Sequence, residues 1–251
     1  MRQTYRADTL VIFLLITTVP LLAQPSAGRL KTQPQPYEKT FAAHQISSLT
    51  LDNTSLHGNI EVQAWDRQEI KITAEIHAPH TFIEPNLSKG ALIIKLRRKG
   101  LVSTEPVHFR VWLPPTCEVN LSTMNGKIVV RGVRTKLKAL TTDGDIELID
   151  TGGTWIDATS SMSGNIKLSG QLNHEGKYHL YSAMGRIDIS FRDPASFTFD
   201  AATRQGRIQT EGVHLNGAQR SDHHVTGDYG QGHAILLVRT VSGTIQLRKQ
   251  P

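Results

Sequence analysis

Residues 141–148 read TTDGDIEL, and the same frame returns at 161–168 (SMSGNIKL), 182–189 (SAMGRIDI) and 240–247 (TVSGTIQL). In each copy isoleucine stands two places after a glycine, and Ser or Thr stands three places before it. Working outward, the frame occurs at seven glycines: Gly58, Gly126, Gly144, Gly164, Gly185, Gly206 and Gly243. None of the other thirteen glycines has isoleucine at that place, so the frame is an internal repeat. Its central spacings are 18, 20, 21 and 21 residues, and the last gap, 37, reads as two periods with one degenerate copy.

The unit has a physical reading. Asn125-Gly126, Asp143-Gly144, Ser163-Gly164 and Ser242-Gly243 are turn dipeptides, because glycine accepts positive φ and Asn, Asp and Ser bond to nearby backbone. After each glycine the chain alternates, as in Ile146/Leu148, Ile166/Leu168 and Ile187/Ile189. That period of two is a strand with one face buried. A second alternating stretch precedes each glycine, so a period holds two or three short strands. The fold class expected is all-β, a β-solenoid or β-helix-like stack of ~20-residue coils. An antiparallel β-sandwich is the alternative.

Around this core the chain divides by composition. Residues 1–23 read as a signal peptide: Arg2 and Arg6 precede the apolar run 10–22, which is shorter than a membrane span. Cleavage is placed at Ala23 or Ala27, and an uncleaved anchor is the other reading. Residues 24–44, with Pro25, Pro34 and Pro36, read as a flexible linker. Residues 45–115 read as an N-terminal β cap of longer strands, with Trp65-Asp66-Arg67 at a hairpin tip. Residues 116–250 read as the repeat domain, interrupted by a loop insertion at 211–233 where function specific to this chain is expected.

The run His57-Gly58-Asn59-Ile60-Glu61-Val62, with Trp65-Asp66-Arg67 and Ile70-Lys71-Ile72 after it, resembles the start of the bacterial putative-adhesin family. Val111-Trp112-Leu113-Pro114, Thr142-Asp143-Gly144-Asp145-Ile146 and the closing Val241-Ser242-Gly243-Thr244-Ile245 are similar to its later features. The resemblance covers about residues 45–248. It implies exported β-strand-repeat architecture, a β-helix-like fold and an envelope location, and it carries over no catalytic residue.

Composition narrows the chemistry. A single cysteine, Cys117, excludes an intrachain disulfide framework and multi-cysteine metal sites. It reads as a buried reduced thiol. The acidic group Asp143, Asp145, Glu147, Asp150 and Asp157 is the best candidate for polysaccharide lyase or hydrolase work. The other copies lack matching acids, so turn chemistry and a solvated face explain it better. His214, His223, His224 and His233, with Asp222 and Asp228, lack strict metal spacing and read as surface residues. Arg97, Arg98 and Lys99, and then Arg131, Arg134, Lys136 and Lys138, form basic runs. They read as edge protection, or as attraction to an anionic envelope polymer or lipid headgroup.

The chain carries 28 Lys and Arg against 22 acids, with 6% aromatics and no recognition module, which argues against nucleic acid. The reading is an exported, non-enzymatic envelope protein, structural or adhesive, with no catalytic, cofactor or metal residues. Partners expected are an anionic envelope polymer, a glycan or an envelope protein. The rivals are a periplasmic scaffold or sensor, and a polysaccharide-acting β-helix enzyme.

Overall fold

The protein is described by a computed structural model in which residues 34–100 and 104–250 are placed. The expected signal peptide lies outside the described residues. In chain order the strands begin with β1 (Gln35–Ala42), β2 (Ser48–His57), β3 (Ile60–Ala64), β4 (Glu69–Ile76) and β5 (Thr81–Ser88). Then come β6 (Ala91–Arg98), β7 (Val107–Leu113), β8 (Glu118–Asn125), β9 (Ile128–Arg131), β10 (Lys136–Asp143) and β11 (Ile146–Ile149). β12 (Trp155–Ser163), β13 (Ile166–Gln171), β14 (Lys177–Met184), β15 (Ile187–Arg192), β16 (Phe197–Gln205) and β17 (Ile208–Glu211) follow. The chain closes with β18 (Asn216–Arg220), β19 (His224–Tyr229), β20 (Ala234–Ser242) and β21 (Ile245–Lys249).

A coil is one strand, a turn and a second strand. The first strand enters an eleven-stranded sheet and the second a ten-stranded sheet. Coil on coil, both sheets pair in parallel: Ile146 opposite Ile166, Ile166 opposite Ile187, Leu137 opposite Ile156. The fold is therefore a β-solenoid, and parallel pairing excludes the antiparallel sandwich. The core lies between the sheets. Ile60, Ile128, Ile146, Ile166, Ile187 and Ile245 are fully buried and face Leu121, Ala139, Ala158 and Leu180 from the opposite sheet. Burying each such side chain contributes about 1.5–3 kcal/mol.

The turn explains the glycine. A Cβ built on Gly164 would lie 1.9 Å from the Gly144 carbonyl oxygen, and one on Gly185 would lie 2.2 Å from that of Gly164. Gly164 and Gly185 also have φ of +148° and +159°, a region that residues with side chains avoid. The glycines thus stack in van der Waals contact down the edge. The N–H of Gly58, Gly126, Gly144, Gly164, Gly185 and Gly243 joins the ladder, as Gly144 N donates to Ser163 O at 2.8 Å. The glycine carbonyl is served instead by a buried hydroxyl of the neighbouring coil: Thr123 Oγ1 donates to Gly58 O (3.1 Å) and Ser182 Oγ to Gly164 O (2.8 Å).

The Ser/Thr rule needs two corrections. In the Gly164 coil the hydroxyl at Gly144 O is that of Ser160 (3.3 Å), whose single proton is shared with Ser163 O at 2.9 Å, and Ser161 is exposed. In the Gly58 coil Asn53 does this work, donating to Val107 O at 3.2 Å, and Ser55 is exposed. Both coils carry a register shift before the turn, and the extra residue moves the inward position. The equivalent Thr240 hydroxyl is buried without a partner.

Coil order departs from chain order at both ends. In the stack β6/β7 comes first, then β2/β3, β8/β9, β10/β11, β12/β13 and β14/β15. Next is β20/β21, and β16/β17 is last. The 37-residue gap therefore holds no degenerate copy. After β15 the chain skips one place to lay down β16/β17. It then forms the antiparallel hairpin β18–β19 on the β16 edge and returns to fill the skipped place with β20/β21. The segment 211–233, expected as a loop, is mostly this hairpin. It covers an edge that would otherwise stay open to pairing.

The N-terminal region also differs from expectation. β2/β3 and β6/β7 are coils of the same stack, and only β1, β4 and β5 pair antiparallel there. The β6/β7 coil lacks the glycine signature because Val107 holds the glycine's place at the end of the ladder, opposite Gly58. Trp65-Asp66-Arg67 is no hairpin tip, since β7 lies between β3 and β4. Residues 35–42, expected within the linker, form β1 against β4. Pro36 is tolerated on an outer strand, while Tyr37 and Phe41 pack on the core.

Candidate functional site

Each coil offers four surfaces: the glycine-turn edge, two outward sheet faces, and the opposite edge where loops join one coil to the next. The acidic group of the sequence is spread over all four. Asp143 and Asp145 stand at the turn edge, accepting from Ser163 Oγ and, at 2.7 Å, from the Asn165 amide. Glu147 faces out of the ten-stranded sheet and pairs with Lys127 at 2.9 Å. Asp150 pairs with Arg192 on the loop edge. Asp157 faces out of the eleven-stranded sheet beside His179 (3.3 Å). No two are held as an acid and base flanking one bond.

The histidine group also separates. His224 Nε2 lies 2.8 Å from Asp200 Oδ1, and Arg239 reaches the same oxygen at 3.0 Å. Burial opposes ionisation of Asp200, but the hydrogen bonds and charges of Arg239 and His224 outweigh it and hold its carboxyl below the usual range. Asp228 accepts from Thr198 Oγ1 at 2.6 Å. Among the described residues no group of three His, Cys, Asp or Glu side chains is arranged to hold a metal. Cys117 is buried, and burial pushes its thiol up to about 12.

The basic runs are partly engaged: Arg97 with Glu84 (3.5 Å), Arg98 on Ser55 O (3.0 Å) and Lys136 with Glu118 (3.1 Å). The two sheet faces differ in character. Across the ten-stranded face runs the row Glu61, Val129, Glu147, Lys167, Asp188 and Gln246, mostly charged or polar. Among the described residues, all eight of the large hydrophobic side chains that are exposed lie on strands of the eleven-stranded sheet. Phe82 and Leu87 are on β5, Met124 on β8, Trp155 and Met162 on β12, Met184 on β14, and Ile235 and Val241 on β20. Lys177 sits between Trp155 and Ile235 in one cross-strand row. Sequence reasoning missed this asymmetry, because both strands of a coil alternate and only the coil's geometry tells which outward residues share a face.

A groove of about 750 Å³ lies on the loop edge. It forms where the chain leaves β15 for the distant β16 and where β20 is entered from the hairpin. Gln231 and His233, from the segment singled out by its break in the repeat, line one side. The Ser196 hydroxyl pins that loop, accepting from Gln231 N (2.9 Å) and lying 3.0 Å from His233 Nδ1. Its oxygen is thereby occupied, so the Ser–His contact is structural and not a nucleophile with its base. The His233 ring packs on His174, with centroids 4.1 Å apart. No local sequence signal marked His174.

The Toastrack DUF4097 family model matches residues 45–248. No curated protein gives a match. A solved structure described as a putative cell adhesion protein, from Clostridium sporogenes ATCC 15579, overlays with TM-score 0.53 at 12% identity, covering 87% of this chain and all (100%) of that one. A putative adhesin from Bacteroides fragilis NCTC 9343 overlays with TM-score 0.38 at 12% identity over 84% of this chain and 96% of that one. A putative lipid binding protein from Parabacteroides distasonis ATCC 8503 gives 0.33 at 10% identity over 88% and 98%. The first of these likenesses supports the solenoid fold.

Proposed function

The chain belongs to the Toastrack DUF4097 family, and from that premise we propose a non-enzymatic adhesive or structural role at the cell envelope. The observation that carries the reading is that, among the described residues, all eight exposed large hydrophobic side chains lie on strands of the eleven-stranded sheet, with Phe82, Met124, Trp155, Met162, Ile235 and Val241 at its outward positions. A solvated structural face has no use for Trp155, Met162 and Ile235 in the open, and clustered apolar exposure marks an interaction surface. Lys136, Lys138 and Lys177 are interleaved with them, which fits an anionic envelope polymer and makes binding salt-sensitive. The dispersal of Asp143, Asp145, Glu147, Asp150 and Asp157 argues against glycan cleavage. The leader at 1–23 supports export, and among the described residues no helix is long and apolar enough to cross a membrane.

Protease shaving of intact cells, followed by fractionation, tests the location. Removal by external protease places the chain on the surface and makes adhesion the working role. Protection until the outer barrier is broken makes it a periplasmic envelope binder. Recovery in the cytoplasmic fraction contradicts the proposal. Depolymerisation of a glycan by the purified protein, lost in Asp143→Asn/Asp145→Asn, would instead establish the enzyme.

A further inference from the structure

We propose that the loop-edge groove is a binding site for a short stretch of acidic glycan, with a uronate carboxylate held by Arg134. This site is separate from the eleven-stranded face and stands or falls independently of it. At about 750 Å³ the groove is of the size that holds small ligands. Its position has a structural cause. From β8 to β15 each loop on this edge steps to the adjacent coil, but after β15 the chain steps over one place and the filling coil arrives from the other side. Connections that part in this way leave a crevice between them, as they do at the switch points of open α/β sheets.

The lining chemistry selects the ligand. Gln171 and Gln231 carry planar amides that offer a donor and an acceptor side by side, the pattern that adjacent sugar hydroxyls match. The packed His174 and His233 rings, tilted 31° to each other, give with Pro194 a surface for the C–H face of a sugar ring. The charge is unbalanced. The carboxylate in the groove, Asp150, is neutralised by Arg192, whereas Arg134 has no ion-pair partner among the described residues. A guanidinium left open in a polar groove favours a planar carboxylate, which it can hold through two parallel N–H···O bonds. A neutral saccharide would leave that cation unused. A bare inorganic anion would leave the amides and the ring surface unused.

The test is calorimetric titration of the full exported chain with trigalacturonate and trimannuronate, with maltotriose and inorganic phosphate as comparison probes. The expected result is that a uronate trisaccharide binds and maltotriose binds at least tenfold more weakly. Arg134→Gln then weakens uronate binding about tenfold, while Trp155→Ser on the eleven-stranded face leaves it unchanged. Arg134 is exposed, so an unaltered circular dichroism spectrum is expected for its variant. Absence of uronate binding, equal binding of maltotriose, competition by phosphate at equal concentration, or indifference to Arg134→Gln would each overturn the proposal. A second readout is the His174 and His233 imidazole NMR signals, which shift on uronate addition if the ligand lies in the groove and stay still if it binds elsewhere.

Discussion

Gly164 has no room for a side chain, because its Cβ position lies 1.9 Å from a neighbouring carbonyl oxygen. Gly164→Ala is expected to cost about 2–5 kcal/mol, combining overpacking with backbone strain. Gly212→Ala is the control: its φ is +64° but nothing lies within 4 Å, so about 1 kcal/mol is expected. Urea unfolding followed by circular dichroism separates the two. The same assay tests the hydroxyl ladder. Ser160→Ala removes the buried hydroxyl shared by the Gly144 and Ser163 carbonyls and should cost about 1–3 kcal/mol, whereas Ser161→Ala should cost less than about 0.5 kcal/mol. Equal effects would contradict the register shift. At this scale the Gly-x-Ile frame was legible because turn and strand preferences are local. The true hydroxyl at Ser160 was not, because a one-residue bulge changes which side chain points inward without changing composition.

Asp200 ties three strands together, reaching Arg239 on β20 and His224 on β19 from its own place on β16. Its carboxyl is held below the usual range, so it contributes stability above about pH 4, its unfolded value. That contribution is lost as pH falls through the lowered folded value. The urea midpoint of Asp200→Asn should therefore lie below that of the unsubstituted chain at pH 7, and the gap should shrink toward pH 3. A gap that persists or widens in acid would contradict the assignment. The larger feature among elements is the inserted coil. β20 and β21 end the described chain yet pair on both sides, β20 with β14 and β16, and β21 with β15 and β17. Hydrogen exchange should find their amides as protected as those of β14 and β15, while β17, at the edge of its sheet, exchanges sooner. Fraying of β20/β21 before β17 would contradict the coil order. The sequence showed a gap of 37 residues and the same frame on both sides of it. It held nothing to say which coil would be laid down where, because that depends on edge capture between strands far apart in the chain. β1 was hidden for a related reason: Pro36 argues against a strand, and only the place at a sheet margin makes it acceptable.

At the largest scale the described residues form a stack with unlike sides. Stacking commits the inward residues to ladders and leaves the outward ones free to differ, so the ten-stranded face is mostly charged or polar while the eleven-stranded one carries Trp155, Met162 and Ile235 in the open beside its ion pairs. The solenoid and its period were legible in the repeat. The apolar face and the groove were not, since each gathers residues from many coils and the groove depends on the out-of-order crossing. The central claim is that the eleven-stranded face is the contact surface. Its most direct test is co-sedimentation of the purified chain with isolated cell envelopes. The protein should bind saturably, and Trp155→Ser/Met162→Ser/Ile235→Ser should bind at least about tenfold more weakly, the loss of a few buried apolar side chains. Glu147→Gln/Lys167→Gln on the opposite face should bind as the unsubstituted chain does. Full envelope binding by the triple variant, with its fold intact, would contradict the account.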